Sequence, residues 1–203
     1  MSMIWLVDDD PSVLRGLERL LAAEGFLTLS FPDAETFLAA HDPTVPGCAV
    51  IDLGLPSVDG LELQARLARK GGGCPVLFLT GQGTVPTAVQ AMRAGAVDFL
   101  AKPVDAETLL LAIRAALEVD SVQRSHSALV KDVKQRVASL TPREHEVLRE
   151  IVVGRKNKQI AHRLGAAEKT IKVHRGRVMQ KMCARSVAEL VTLFATLQDG
   201  PAV

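Results

Sequence analysis

Tyrosine is absent from the 203 residues, tryptophan occurs once and phenylalanine six times. A core made from this chain must therefore be aliphatic, built of Leu, Val, Ile and Ala. Cysteine is scarce too. Cys48, Cys74 and Cys183 are odd in number and far apart, which excludes a disulfide framework, and no Cys/His spacing suits zinc. They read as small core fillers in a reducing compartment. No apolar run reaches membrane-spanning length, since Arg114 interrupts Leu109–Leu117. The apolar start, Met1 to Val7, has no basic lead-in and runs straight into three aspartates, which excludes a signal peptide. The expectation is a soluble, cytoplasmic protein with no membrane partner.

Hydrophobic residues make up 48% of the chain, enough for one sizeable core or two smaller ones. The formal net charge of +1 hides a division. Residues 1–119 hold 8 Lys/Arg against 15 Asp/Glu, whereas residues 120–203 hold 16 against 8. An acidic half joined to a basic half predicts two domains with different partners. The basicity is densest from Gly154 to Arg185, with ten Lys/Arg and one acid, Glu168. Such a block suits phosphate-backbone binding, and equally a solvated surface.

The first 119 residues alternate strand and helix. Met3–Val7, Leu27–Phe31, Cys48–Ile51, Val76–Leu79 and Val97–Ala101 are short apolar runs of strand type. Between them lie helical patterns opened by Asp10-Pro11, Asp33, Gly60, Thr84 and Asp105. Gly25, Gly71-Gly72-Gly73 and Gly95 end three of these helices. Five β-α units in series predict a parallel sheet covered by helices on both faces. Residues 120–138 lack Gly and Pro and read as a helical linker. Its Val122, Leu129, Val133 and Val137 fall partly on one stripe, suited to a dimer seam or to packing against a domain. Beyond Leu140 only short helices follow. Thr141-Pro142-Arg143-Glu144 is a capping box, Asn157 caps a helix over Lys158–Leu164, a further helix spans Glu168–Met182, and a last one opens at Ser186.

Polar residues stand where the strands end: Asp8 and Asp9, Asp52, Thr80 and Lys102. In an open parallel sheet, ligands bind beyond the carboxyl ends of the strands where strand order reverses. With the order 2-1-3-4-5, Asp8, Asp9 and Asp52 converge in one crevice. Clustered carboxylates repel and call for a hard cation, Mg²⁺ or Mn²⁺. A carboxylate can also act as nucleophile toward a phosphoryl group, and a hydroxyl and an ammonium nearby would hold the new phosphate oxygens. Singly, each residue has an ordinary structural reading, as a helix cap, a turn or a surface charge.

Together, Val7-Asp8-Asp9-Asp10, Ile51-Asp52-Leu53-Gly54-Leu55-Pro56 with Asp59-Gly60, Leu79-Thr80-Gly81 and Ala94-Gly95 through Lys102-Pro103 resemble the receiver domain of two-component response regulators. The resemblance implies a flavodoxin-like (CheY-like) α/β fold. It makes Asp52 the phospho-acceptor, with the metal held by Asp8, Asp9, Asp52 and the Gly54 carbonyl. Thr80 becomes the switch hydroxyl, Lys102 the phosphate-binding lysine, and Phe99 the aromatic that swings inward. It also implies a cis Lys102–Pro103 bond. Leu53-Gly54-Leu55 departs from the basic or Met-containing stretch usual after the acceptor.

In the basic half, Lys158–Leu164, Gly165-Ala166-Ala167 and Glu168–Met182 have the layout of a helix-turn-helix, with Ile160, Leu164, Ile171, Val178 and Met182 as shared core. That leaves Lys158, Lys169, Thr170, Lys172, His174, Arg175, Arg177 and Lys181 to face DNA; a plain amphipathic helix in a bundle fits the same pattern. Leu140-Thr141-Pro142-Arg143-Glu144, Asn157-Lys158-Gln159-Ile160-Ala161, Lys169-Thr170-Ile171-Lys172-Val173-His174 and Lys181-Met182 resemble the LuxR-type output domain. The whole chain thus resembles the FixJ/StyR/NarL class of transcription regulators. Position by position, the resemblance places Lys172 and Val173 in the groove. Gly176 falls where other members often carry a long side chain, at a mid-helix cost of roughly 1 kcal/mol.

The organisation expected is a receiver domain over 1–119, a helical linker over 120–138 and an all-α DNA-binding domain over 139–203. The function implied is phosphorylation-dependent transcription regulation. Its partners would be a sensor histidine kinase, double-stranded promoter DNA, RNA polymerase and a second copy of the chain. The only chemistry expected is self-phosphorylation from a donor and slow autodephosphorylation. Two rivals use the same residues: a metal-dependent aspartyl phosphatase, and a receiver acting by protein contact alone with a helical adaptor.

Overall fold

The computed structural model describes residues 2–70, 73–81 and 84–197. Gly71 and Gly72, read above as part of a helix stop, lie outside the described residues. The chain forms β1 (Met3–Val7), α1 (Pro11–Ala23), β2 (Leu27–Phe31), α2 (Ala34–Ala40), β3 (Gly47–Asp52), α3 (Gly60–Arg69), β4 (Val76–Thr80), α4 (Val85–Arg93) and β5 (Asp98–Ala101). Helices alone follow: α5 (Ala106–Ala138), α6 (Pro142–Val152), α7 (Asn157–Arg163), α8 (Glu168–Lys181) and α9 (Val187–Ala195). Contacts divide the chain into two compact units, Met1–Arg124 and Ser125–Val203.

In the first unit all strand pairs are parallel and the order is β2-β1-β3-β4-β5. β3 and β4 are buried at every residue, which is why their sequences are continuous apolar runs and do not alternate. Side chains still alternate between faces. Trp5, Val7, Ile51 and Phe78 pack with Phe37 of α2 and Leu63 and Leu67 of α3. Ile4, Leu6, Val50 and Leu77 pack with Leu17 and Leu21 of α1 and Leu109 and Ile113 of α5. The helix starts follow the caps: Asp10 accepts from Ser12 N–H at 2.7 Å, Asp33 from Thr36 at 2.8 Å and Asp59 from Glu62 at 2.7 Å.

The end of this unit differs from the sequence boundary at residue 119. Asp120, 2% exposed, accepts from the Gly47 N–H at 3.0 Å and from Arg124 Nε at 2.8 Å. Arg124 in turn donates to the carbonyls of Pro43 and Thr44 at 3.1 Å and of Val45 at 2.6 Å. The segment expected as linker therefore begins inside the first unit, tied down by a charged latch.

In the second unit Val133 of α5 is fully buried and Val137 packs partly against the same core, whereas Leu129 is exposed. That half of the stripe packs inward. Val147, Leu148, Ile151, Ile160, Ile171, Val178, Met182 and Leu190 complete this aliphatic core. The capping box at Thr141 and Glu144 forms. Asn157 is not the cap of α7, as expected, but its first residue. Lys156 holds the cap position, and the Asn157 carboxamide accepts from Arg175 at 3.3 Å instead.

Candidate functional site

The first unit gathers its polar strand ends at one rim. β1 delivers Asp8 and β3 delivers Asp52, next to each other at the point where strand order reverses. Asp8 is 2% and Asp52 9% exposed. Lys102, just past β5, sets its ammonium between them, with Nζ 2.6 Å from Asp8 Oδ2 and 2.6 Å from Asp52 Oδ1. Burial alone would lower the Lys102 pKa, but the hydrogen bonds to Asp52 and Asp8 outweigh it and hold the group above the ordinary lysine value. The other carboxylate oxygens are met by backbone: Asp10 N–H donates to Asp8 at 3.0 Å and Gly54 N–H to Asp52 at 2.7 Å.

Thr80 closes β4, 4% exposed, and its carbonyl accepts the Lys102 N–H at 2.7 Å. The Lys102–Pro103 bond is cis. Phe99 is half-buried, its ring 6.3 Å from that of Phe78. Gly60 fits under this rim because a Cβ there would come within 2.8 Å of Phe78 and 2.9 Å of the Asp52 carbonyl.

Asp9 is exposed, and among the described residues no group of three or more His, Cys, Asp or Glu is assembled to hold a metal. The donor chemistry of the buried pair nonetheless suits a hard cation. Two carboxylates already converge on one positive centre, here the Lys102 ammonium.

The second unit sorts its basic residues into two groups. Ile171 and Val178 of α8, with Met182 just past its end, make a buried stripe. Lys158 of α7 and Lys169, Thr170, Lys172 and Arg177 of α8 are exposed, and Val173 is 49% exposed. Three of the residues expected to face DNA also meet groups of their own unit. Lys181 donates to Glu144 at 2.7 Å and to the Ser139 carbonyl at 3.0 Å. Arg175 donates to Asn157 and, at 3.4 Å, to the Arg155 carbonyl. His174 keeps Nδ1 buried with no hydrogen-bond partner among the described residues. At about 100° per residue these three lie within roughly 80° of Ile171, on the flanks of the core stripe. Lys156, Arg163 and Arg185 are further exposed cations of the same block.

Known proteins resemble both units. The family described as response regulator receiver domain matches residues 4–114, and that described as bacterial regulatory proteins, luxR family, matches residues 138–194. Nodulation protein W of Bradyrhizobium diazoefficiens is 41% identical over 196 residues, covering 97% of this chain and 86% of that protein. The transcriptional regulatory protein FixJ of the same organism is 40% identical over 190 residues, covering 94% and 93%. Among solved structures, the response regulator StyR is 42% identical, with a TM-score of 0.84 and coverage of 96% of this chain and 98% of that one.

Proposed function

The chain belongs to the response regulators, joining a receiver domain to a LuxR-family regulatory domain, and from that premise we propose that Asp52 accepts a phosphoryl group that changes how the basic unit holds promoter DNA. The observation that carries this reading is the buried Asp8–Lys102–Asp52 bridge, with both contacts at 2.6 Å. A sensor histidine kinase supplies the phosphoryl group. An Asp52 carboxylate oxygen forms the new bond to phosphorus as the bond to the donor's histidine nitrogen breaks.

Asp8, Asp9, Asp52 and the Gly54 carbonyl would hold the divalent cation, Mg²⁺ or Mn²⁺, whose charge neutralises the phosphoryl oxygens during transfer. Lys102 is placed to trade its bond to Asp52 for one to the phosphate, and Thr80 to donate its hydroxyl to the same group. Phe99 follows Thr80 inward. Leu53 and Gly54, which follow Asp52, offer no acid to protonate a leaving group, so the site favours a switch over a phosphatase that turns over; self-phosphorylation and slow autodephosphorylation are its only chemistry.

α4 presents Val85, Val89 and Met92 to solvent and α5 presents Leu111. This apolar surface supports pairing of two phosphorylated chains through α4, β5 and α5. Phosphorylation need favour the paired state by only about 1–3 kcal/mol. Two basic units then grip a two-fold or direct-repeat site through Lys158, Lys169, Thr170, Lys172, Val173 and Arg177, and act on RNA polymerase. Among the described residues no helix is long and apolar enough to cross a membrane, and the site of action is the cytoplasm.

The test is labelling with acetyl phosphate and Mg²⁺, followed by a salt-titrated gel shift. The wild type takes one phosphoryl group and shifts duplex DNA more tightly when labelled, with binding that weakens steeply as salt rises. Asp52→Asn takes none. Equal labelling of Asp52→Asn, or a labelled wild type that ignores DNA in dilute salt, overturns the reading.

A further inference from the structure

The N-terminal ends of β4 and β5 border a cavity that the Asp52 rim does not use. It measures about 150 Å³, and the described residues that line it belong to the first unit. Its walls come from α3, the segment leading into β4, the α4–β5 turn and α5. Leu67, Val76, Val97 and Val119 are its apolar part, and Gln64, Cys74 and Gln123 its polar part. Val76 begins β4 and Thr80 ends it, so a strand length of roughly 13 Å separates this cavity from the Asp52 rim.

Two features set what can occupy it. The first is its lack of charge. Among the described residues no Lys, Arg, His, Asp or Glu lines it. Burial, and after it the Asp120 carboxylate, pushes the Cys74 thiol up to about 12, which keeps it protonated. The second is Gln64. Its side chain stands in the cavity wall and is 5% exposed. Nε2 donates to the Ala94 carbonyl at 3.1 Å, which fixes how the amide is turned. Oε1 is buried with no hydrogen-bond partner among the described residues. A buried acceptor left alone has given up water and gained nothing in return, and few proteins leave one so.

Size narrows the occupant further. A cavity of about this volume takes up benzene, and it is too small for a larger ligand. We propose that the cavity is a binding site for a neutral molecule of about one ring's size whose hydroxyl donates to Gln64 Oε1. The apolar walls take the ring. The same amide then joins the ligand to the end of α4 through the Ala94 carbonyl. The inference does not rest on the phospho-acceptor reading.

The experiment titrates the full-length, isotope-labelled protein, without phosphodonor, with phenol and with fluorobenzene, a ring of similar size that has no donor. The amide shifts of Val97 and Val119 report the cavity. Gln64→Met keeps the length of the side chain and removes the acceptor. Ala68→Trp fills the mouth from an exposed position of α3. Wild type is expected to bind phenol with a Kd of about 1 mM, and fluorobenzene about fivefold or more weakly. Gln64→Met binds the two rings alike, within about twofold. Ala68→Trp melts as wild type does and shows no saturable shift with phenol. Phenol that leaves the Val97 and Val119 amides of wild type unmoved overturns the proposal, since the cavity then holds water alone. Equal binding of the two rings by wild type overturns it as well. So does a preference for phenol that survives in Gln64→Met, because loss of the Ala94 bond by itself would weaken both rings together. Undiminished binding to Ala68→Trp places the site elsewhere and has the same force. If Gln64→Met does not fold, the ring preference of wild type and the loss of binding in Ala68→Trp decide.

Discussion

Lys181 of α8 reaches back to Glu144 of α6, its ammonium 2.7 Å from a carboxylate that is almost wholly buried. The same carboxylate accepts the Thr141 N–H at 2.9 Å. One acid thus closes the capping box of α6 and ties α8 to it. The hydrogen bond from Lys181, and after it that from the Thr141 backbone, hold Glu144 down to about 2 against the opposing effect of burial.

A carboxylate depressed in this way stabilises the fold fully above its unfolded value of about 4.5, and that contribution is lost as pH falls toward 2. Glu144→Gln is expected to lower the stability of the second unit by about 1–3 kcal/mol near neutral pH. It should also flatten the acid dependence between pH 5 and 2.5. Hydrogen exchange of the α6 and α8 amides measures both; an unchanged pH slope in the variant refutes the assignment.

Arg124 and Asp120 allow a second prediction. Removing the guanidinium leaves a buried carboxylate without its cation and three loop carbonyls without a donor. Arg124→Ala should cost the first unit about 2–4 kcal/mol. Urea unfolding followed by the fluorescence of Trp5, which is 3% exposed in that unit's core, reads this directly.

Lys102→Met leaves Asp8 and Asp52 facing each other in a buried site with no cation between them. The variant is expected to melt below wild type in chelator and to gain more from millimolar Mg²⁺ than the wild type does, as binding to the folded state stabilises it. Equal Mg²⁺ shifts in the two proteins would contradict a shared cation position.

His41 gives the first unit a pH dependence of its own. Its ring packs against Trp5 at 4.8 Å and Phe37 at 5.3 Å, and Nε2 has no hydrogen-bond partner among the described residues. Burial first, and then Lys70 and Arg124, press its pKa below 6.5, with Asp42 pulling the other way. The unfolded chain therefore binds a proton before the folded unit does. Stability is whole above about pH 6.5 and falls as pH drops toward the folded value. His41→Phe should remove that fall between pH 7 and 5.5 while keeping the ring packing, again by Trp5 fluorescence in urea.

Much of this was legible because it is local. Asp10, Asp33 and Thr141 announce helix starts, since a cap needs only a short side chain and a backbone N–H two or three residues on. The strands of the first unit are plain in their apolar runs, and Asp8, Asp52, Thr80 and Lys102 stand where those runs end. The contacts that α8 makes inside its own unit are less legible. His174, Arg175 and Lys181 are polar, but helical phase puts them on the flanks of the buried stripe, where Arg175 and Lys181 find partners in Asn157 and Glu144. Composition cannot show that, because the partners lie 18 and 37 residues away.

The sequence by itself determined the β-α alternation, most of the caps, the acidic and basic halves and the identity of the strand-end residues, because composition and neighbours a few positions apart carry them. Only the tertiary structure decided that Lys102 bridges Asp8 and Asp52, that Asp120 and Arg124 extend the first unit past residue 119, and which cations of α8 stay exposed. Those outcomes depend on which side chains meet across the fold, where burial makes a charge seek an opposite charge or a donor, and no local pattern encodes that meeting.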